Sequence, residues 1–253
     1  MTDAFLECDN LSLRLEGRTV LRELTLRIAK NESVVILGES GCGKTVLLKL
    51  LIGLMQPTEG EVKVEGRSWK GLTETETVQQ RQRFGFLFQG AALFDSLTVY
   101  DNVAFGLRAR QSFTEAEIRK NVEERLKEVG LTMTIAMQKP AELSGGMKKR
   151  VGLARALALN PEVMLYDEPT TGLDPIMTEV INGLIRKTRE SRPVTSIVVT
   201  HELKTVWAVA NRVLLLSPLS KVEAEESQIL FDGTVEELQQ SQLERVKRFI
   251  GSS

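Results

Sequence analysis

The apolar residues of this chain cluster in short runs that are separated by longer segments with helical periodicity. Runs rich in branched or aromatic residues predict buried strands at four places: residues 33–37, 84–88, 163–166 and 195–199. The segments 46–52 and 175–190 have the pattern of helices. Strands that alternate with helices are typical of an α/β fold built on a mostly parallel sheet.

The region before the first buried strand follows a different pattern. Leucines and an isoleucine alternate with other residues across 11–15 and again across 24–28. A period of two predicts a pair of antiparallel strands, and residues 61–65 predict a further, half-exposed strand.

From Thr98 to about Leu159 the pattern becomes helical. The clearest amphipathic segment is 114–129, where Thr114 is followed three residues later by Glu117. This spacing is that of a capping box, in which the two side chains satisfy free N–H groups at a helix start. We therefore predict a block of helices in this region.

A glycine-rich segment joins the first buried strand to the helix after it. Its residues match the pattern G-x-x-x-x-G-K-[ST] and are Gly38, Glu39, Ser40, Gly41, Cys42, Gly43, Lys44 and Thr45. Between a strand and a helix N-terminus, such a loop directs backbone N–H groups at a phosphate. Lys44 is expected to contact the β- and γ-phosphates, and the Thr45 hydroxyl to bind Mg²⁺. The sequence therefore predicts binding of a nucleoside triphosphate, in preference to an ordinary glycine-rich turn.

Two acidic residues and the only histidine follow other predicted strands. Asp167 ends the strand that begins at Val163 and fits the role of a Mg²⁺ ligand. Glu168 is placed to orient or deprotonate the water that attacks the γ-phosphate. His201 follows the strand at 195–200, where its side chain could reach the same phosphate. The alternatives are a pair of surface carboxylates in a turn and a structural histidine.

A second glycine-rich helix start lies at residues 143–147. Ser144 occupies the predicted cap, and Gly145 and Gly146 leave backbone N–H groups approachable, which is a second potential anion site. The residues alone leave open whether this helix start binds an anion or no ligand.

Composition and charge narrow the class of protein. The 253 residues are 42% hydrophobic and 26% charged, as in a soluble globular protein, and the net charge of −1 gives no electrostatic reason to expect a nucleic-acid partner. Two cysteines suggest a reducing compartment without disulfides. We recognise no signal peptide, and the apolar segments fall short of the roughly 20 residues that cross a bilayer. The basic residues 148–150 are expected on a solvated helix face.

Six elements occur in one order that resembles the ATPase subunits of ABC transporters. They are the phosphate loop, Gln89, Leu-Ser-Gly-Gly at 143–146, Tyr166-Asp167-Glu168, Gly172-Leu173-Asp174 and His201. The resemblance covers about residues 5–240. It implies a P-loop NTPase core with an antiparallel β-subdomain and an inserted α-helical subdomain at about residues 90–160, all within one nucleotide-binding domain that spans 1–253.

The resemblance also implies ATP hydrolysis with Mg²⁺ in a head-to-tail homodimer. Each ATP would lie between the phosphate loop of one subunit and the 143–146 segment of the other. Gln89 would contact Mg²⁺ and the attacking water, Asp174 would lie at the subunit interface, and His201 would hold the γ-phosphate. The implied catalytic residues are Lys44, Gln89, Glu168 and His201, and the implied Mg²⁺ ligands are Thr45, Gln89 and Asp167.

The sequence departs from the family pattern at three places. Met147 stands where glutamine is usual, and Leu15 stands where an aromatic residue commonly stacks on adenine. Residues 217–228 form a polar, acidic insertion in what is usually a short hairpin, and we expect it to be a solvated loop.

The stretch from Phe88 to Val103 resembles the ATPases of Mla/Mce-type lipid transport systems. Its Ala-Leu-Phe-Asp-Ser-Leu-Thr-Val run at 92–99 and the Gly-Gly-Met signature are both typical of that group. The resemblance implies phospholipid transport through a separate integral membrane permease, which would dock on Leu93, Phe94 and Leu97.

The same group suggests an Mce-domain lipid-binding protein and sometimes a small STAS-domain subunit as further partners, with no nucleic acid. The chain is then expected to be cytoplasmic, peripheral on the inner face of the inner membrane. Two alternatives stay open: the same chemistry applied to another solute such as an amino acid, and a soluble ABC protein that acts on ribosomes or DNA.

Overall fold

The computed structural model describes residues 4–251 of the chain. Its strands are β1 (Ala4–Leu15), β2 (Arg18–Ala29), β3 (Ser33–Gly38), β4 (Glu59–Val64), β5 (Arg67–Ser68), β6 (Phe84–Leu87), β7 (Val163–Asp167), β8 (Thr195–Thr200), β9 (Arg212–Leu216) and β10 (Ile229–Thr234). Its α-helices are α1 (Lys44–Leu51), α2 (Glu74–Arg81), α3 (Val99–Ala109), α4 (Glu115–Glu128), α5 (Gly145–Leu157), α6 (Pro175–Ser191), α7 (Leu203–Val209), α8 (Val235–Gln240) and α9 (Glu244–Gly251).

The larger sheet has the strand order β10-β9-β3-β8-β7-β6. Neighbours from β9 to β6 are parallel, and only β10 pairs antiparallel with β9. The four predicted buried runs are β3, β6, β7 and β8, so the mostly parallel sheet is confirmed. Because parallel strands end at the same edge, the residues that follow β3, β7 and β8 lie together there.

A smaller antiparallel sheet has the order β2-β1-β4-β5. It contains the two alternating segments before the first buried strand and the half-exposed strand predicted near residues 61–65. The predicted α/β fold class, with its antiparallel sheet and its block of helices, is therefore confirmed.

Strands β3, β6, β7 and β8 are buried at every position, so this part of the larger sheet is covered on both faces. Along β3, Val35 and Leu37 pack into the core beneath helices α3–α6, whereas Val34 and Ile36 pack into the core shared with the smaller sheet. This alternation follows from the two-residue period of a strand. The sheet edge that carries the candidate site is therefore supported by packed side chains on both faces of the sheet.

The helical region predicted from 98 to 159 consists of α3, α4 and α5 rather than one continuous run. Thr98 caps α3, and Thr114 and Glu117 form the predicted capping box of α4. Gly130, at φ 70°, ends the turn after α4, and a short 3₁₀ turn begins at Pro140 before α5 starts. None of the helices between residues 4 and 251 combines the length and the apolar character needed to cross a membrane.

Candidate nucleotide-binding site

The glycine-rich loop forms the predicted turn between β3 and α1. Gly43 precedes the helix with φ 101°, and a Cβ at this position would lie 2.6 Å from the Leu21 side chain. Only glycine satisfies both conditions, because other residues rarely adopt positive φ and the space is already filled. The loop therefore brings its backbone close to the floor of a cleft of about 1310 Å³.

Lys44 lies in this cleft and is only 6% exposed. Its ammonium donates to the carbonyl oxygens of Gly38 at 2.8 Å and Glu39 at 3.0 Å, and it lies 3.5 Å from Glu168 Oε1. A buried ammonium that is held mainly by backbone carbonyls has positive charge available for an anionic ligand. The geometry suits the predicted contact with phosphate oxygens.

Thr45 and Asp167 meet across the cleft floor. The Thr45 hydroxyl donates to Asp167 Oδ1 at 2.8 Å, and burial raises the pKa of the Asp167 carboxyl above its usual range. Hard oxygen donors of this kind suit Mg²⁺, which proteins usually hold through one or two carboxylates together with substrate phosphates. No cluster of three metal-ligating His, Cys, Asp or Glu side chains lies within residues 4–251.

Glu168 contacts several other side chains at the sheet edge. Its Oε2 lies 2.9 Å from His201 Nδ1 and accepts the Thr171 hydroxyl at 3.1 Å. The residue is 8% exposed and has φ 45°, a left-handed conformation that is uncommon outside glycine. Gln89 and His201 line the same cleft, so the structure brings together the predicted catalytic side chains.

Lys149 contacts Glu168 from α5, which the sequence analysis did not foresee. It is 5% exposed, and its ammonium donates to the Glu168 carbonyl oxygen at 3.0 Å. The expectation of a solvated basic face at 148–150 is therefore wrong for this residue. A charge run does not reveal which of its members faces the core, so the sequence carried no signal for this contact.

The second glycine-rich helix start lies apart from the first. Ser144 caps α5 by accepting the Met147 N–H at 3.3 Å, and Ser144 and Gly145 are exposed. Gly146 is buried against Met177 of α6 and leaves no space for a Cβ. Within the described part of the chain, this segment does not line the cleft that contains Lys44.

Asp174 is exposed and caps α6, where its Oδ1 accepts the Met177 N–H at 2.9 Å. Met147 is half-buried against the helical core, so its apolar side chain has a packing role in place of the usual amide. The starts of α5 and α6 are thus joined through Met177.

The outer end of the cleft is formed partly by the insertion at 217–228, which we call the strap. Its tip at 223–227 is exposed, but Gln228 is 1% exposed and its amide donates to the carbonyls of Val20 at 3.3 Å and Cys42 at 3.1 Å. Lys221 contacts the Glu39 carboxylate at 2.6 Å. The expectation of a solvated loop is therefore wrong for the two ends of the strap, which are fastened to the phosphate loop.

The position at which an aromatic residue commonly stacks on adenine carries a partly exposed leucine in this chain. Leu15 is 36% exposed at the end of β1, and Val20 of β2 is the residue of this region that lines the cleft. An aromatic residue, Phe249 of α9, also lines the cleft.

Both cysteines are free and buried. Burial raises the pKa of the Cys42 thiol, and the nearby Lys44 ammonium opposes this shift only partly. The Cys42 thiol is covered and packs into the core beneath the smaller sheet.

Comparison with known proteins identifies close relatives. Residues 21–171 match the family model for ABC transporters. The chain is 38% identical over 250 residues to the intermembrane phospholipid transport system ATP-binding protein MlaF of Haemophilus influenzae, covering 99% of this chain and 91% of that protein. It is 40% identical over 210 residues to the methionine import ATP-binding protein MetN of Carboxydothermus hydrogenoformans, covering 82% and 62%.

A solved structure shows the same architecture. The dimeric post-hydrolysis state of the ATP-binding cassette MJ0796, bound to ADP and Pi, matches with a TM-score of 0.81 at 32% identity. The match covers 91% of this chain and 98% of that one.

Proposed function

The chain belongs to the ABC transporter family and is an ATPase, and from that premise we propose that it drives phospholipid transport through a separate membrane permease. The observation that carries this proposal is the extent of the likeness to MlaF. That alignment covers 91% of the relative, whereas the alignment with the methionine importer covers 62%. The likeness to the phospholipid transport protein therefore covers most of that relative's length, which supports the proposal.

The arrangement at the sheet edge supports general base catalysis by Glu168. Its carboxylate would take a proton from the attacking water, whose oxygen forms a bond to the γ-phosphorus as the bond to the β-phosphate oxygen breaks. His201, 2.9 Å from Glu168 Oε2, would fix the carboxylate and contact the transferred phosphoryl group. Lys44 would stabilise the charge on the β- and γ-phosphates.

Thr45, Asp167 and Gln89 are the side chains that would hold Mg²⁺ beside the nucleotide. A bound Mg²⁺ would neutralise charge that builds up on the phosphate oxygens during transfer. The chain contributes a hydroxyl and a carboxylate that already lie within hydrogen-bond distance of each other.

The second helix start supports a head-to-tail homodimer. Ser144 and Gly145 are exposed at the start of α5, and Asp174 is exposed at the start of α6. In the dimer, this face would cover the ATP held by the phosphate loop of the partner. Each copy would then complete the site of the other.

An exposed aromatic pair supports the permease docking site. Phe94 and Phe105 are 43% and 48% exposed, with ring centroids 4.6 Å apart. Asn102 is fully buried and fixes the preceding loop, accepting the Phe94 N–H at 2.8 Å and donating to the Phe94 and Thr98 carbonyls. A rigid apolar surface of this kind suits an amphipathic helix of another protein.

The further partners follow from the same likeness. We propose an Mce-domain lipid-binding protein and a STAS-domain subunit in the assembled system, with the ATPase held on the cytoplasmic face of the inner membrane by the permease. We also propose a single nucleotide-binding domain whose helical subdomain is the block at about 90–160.

Replacement of Glu168 by Gln tests the chemistry and the dimer together. The variant should bind ATP, lose turnover by about 10²-fold or more, and accumulate as a dimer, because ATP is no longer consumed. Size-exclusion chromatography with ATP and a phosphate-release assay measure both effects, with Glu179→Gln on the exposed face of α6 as the control. Hydrolysis by Glu168→Gln at the normal rate would contradict the role of Glu168.

The cargo is tested by purifying the chain with its membrane partners and identifying co-purified molecules by mass spectrometry. Phospholipid should be present with the normal chain and with Phe113→Asp, an exposed aromatic outside the docking pair. Phe94→Asp should lose the permease and the lipid while keeping ATP binding. A transported amino acid in place of lipid would favour the methionine-importer alternative.

A further inference from the structure

Lys149 is a buried lysine that the mechanism above does not use. It lies on α5, a little over one helical turn after Ser144, and is 5% exposed. The hydrogen bond that its ammonium makes within the described residues goes to the carbonyl oxygen of Glu168 at 3.0 Å. Burying an ammonium costs free energy unless specific partners stabilise it. The buried position of Lys149 therefore indicates a function for this side chain.

The hydrogen bond from Lys149 goes to a residue with an uncommon backbone conformation. Glu168 has φ 45°, which costs free energy for a residue with a side chain and persists only when neighbours hold it. Its N–H donates to the Val199 carbonyl at 2.9 Å, and its carbonyl accepts from the Lys149 ammonium at 3.0 Å and from the Thr171 N–H at 3.3 Å. These three bonds hold the peptide groups on either side of the Glu168 side chain, and Lys149 makes the shorter of the two bonds to the carbonyl.

The orientation of that backbone decides where the carboxylate points. In the observed conformation the Glu168 carboxylate reaches His201 at 2.9 Å and the Lys44 ammonium at 3.5 Å. A change in the peptide plane of Glu168 would swing the carboxylate away from both partners. The Lys149 hydrogen bond thus contacts the backbone of Glu168, and Lys149 does not line the nucleotide cleft among the described residues.

Lys149 also shares a helix with the second glycine-rich start. Lys149 follows Ser144 by five positions, which corresponds to about 7.5 Å along the helix axis. In the proposed dimer, the start of α5 contacts the ATP of the partner, whereas Glu168 acts on the ATP of its own chain. The two ends of this short segment thus serve different ATP molecules.

We propose that Lys149 is a positioning residue that couples the signature end of α5, engaged with the partner's ATP, to the catalytic Glu168 of its own chain. This inference rests on the proposed head-to-tail dimer. It assigns to Lys149 an effect on the rate of hydrolysis and little effect on ATP binding, since the residue does not line the nucleotide cleft among the described residues.

The first test compares variants at this position in the full-length chain. Lys149→Met keeps the length of the side chain but removes the donor, so kcat should fall about tenfold with KM for ATP nearly unchanged. Lys149→Arg keeps N–H donors and should retain most of the activity. Lys148→Met, at a half-buried neighbour on the same helix, is the matched control and should behave as the normal chain.

A mixed dimer separates the proposed effect from simple damage to the signature helix. When one chain carries Lys149→Met and the other Glu168→Gln, the only working Glu168 belongs to the chain without Lys149, and turnover should be low. When both changes are on one chain, the working Glu168 keeps its own Lys149, and turnover should equal that of a dimer carrying one Glu168→Gln alone.

The reverse pattern would overturn the proposal, because it would show that Lys149 acts only through the signature face on the partner's ATP. Equal loss of activity in Lys149→Met and Lys149→Arg, in proportion to a lower melting temperature, would show a merely structural role. If Lys149→Met does not fold, Lys149→Leu, which also lacks a donor, replaces it in the same two mixed dimers. Normal kcat in Lys149→Met together with an inactive Glu168→Gln would reject this inference and leave the proposed function intact.

Discussion

The two glycine-rich helix starts differ in backbone and in surroundings: α1 follows Gly43 in a left-handed conformation, whereas α5 follows Ser144 in an extended one. At α1, Lys44 is buried, Thr45 meets Asp167 at 2.8 Å, and the strap fastens the loop from outside. At α5, Ser144 and Gly145 are exposed and only the N–H of Met147 uses the Ser144 hydroxyl among the described residues. The side chains at the first start have partners within their own chain, whereas the second start is an exposed surface that would cover the partner's ATP in the proposed dimer.

The difference teaches how one motif type can serve two purposes. A helix N-terminus provides N–H groups and a positive dipole end in both places. Among the residues described, only the α1 start has a buried charged side chain and close packing around it. We infer that the α1 start binds the nucleotide and that the α5 start recognises a nucleotide already bound elsewhere.

The largest effect is expected from Lys44→Ala, which removes the only side-chain charge that the α1 loop directs at phosphate. Turnover should fall by about 10²–10³-fold, since one preorganised donor to a developing charge is worth that much. ATP binding, measured by fluorescence of a nucleotide analogue, should weaken in parallel. Lys120→Ala on the exposed face of α4 provides the control. Tight ATP binding by Lys44→Ala would remove the distinction drawn between the two helix starts.

The next effect concerns Ser144→Ala, which should reduce turnover by roughly tenfold because the hydroxyl caps the helix that faces the partner's ATP. Thr114→Ala removes the equivalent cap hydroxyl of α4 and should alter stability without this loss. In a mixed dimer with a Lys44→Ala chain, both defects should fall on one ATP and leave the other site intact, with about half of the normal activity. A fully inactive mixed dimer would mean that Ser144 serves the ATP of its own chain.

The fold was largely predictable because apolar runs identify strands and a parallel sheet gathers their ends. Asp167, Glu168 and His201 could be placed beside the phosphate loop for this reason alone, since each follows a strand of the same sheet. The Gln228 contacts could not be predicted, because its partners Val20 and Cys42 lie 208 and 186 residues away.

Lys149 was missed for a different physical reason. Periodicity locates a helix, but a lysine at the boundary of its apolar face can extend to solvent or to a buried carbonyl. The choice depended on the backbone of Glu168, which no local pattern describes.

A smaller effect is expected from Gln228→Leu, which leaves two carbonyls and the Arg22 N–H without their partner. Unpaired buried groups should lower the free energy of unfolding by about 1–3 kcal/mol, and the looser α1 loop should raise KM for ATP several-fold. Thermal denaturation and steady-state kinetics measure the two quantities. Gln240→Leu on the exposed end of α8 is the control, and an unchanged KM would limit the strap to a structural role.

The smallest effect is expected at the Cys42 thiol, which reports on the α1 loop without changing it. Only the thiolate is alkylated, and burial raises the pKa of Cys42, so the thiolate fraction at neutral pH is smaller in the folded chain than in the unfolded one. Iodoacetamide should therefore label Cys42 slowly at pH 7.5, faster as the pH rises, and at the ordinary rate in guanidinium. Cys8, whose pKa is raised to about 12, is the internal control away from the loop. ATP should slow the labelling of Cys42 more than that of Cys8, as followed by peptide mass spectrometry, because the nucleotide stabilises the closed loop. Equal protection of both thiols would indicate a general stabilisation of the fold and would weaken the case that the nucleotide lies on the α1 start.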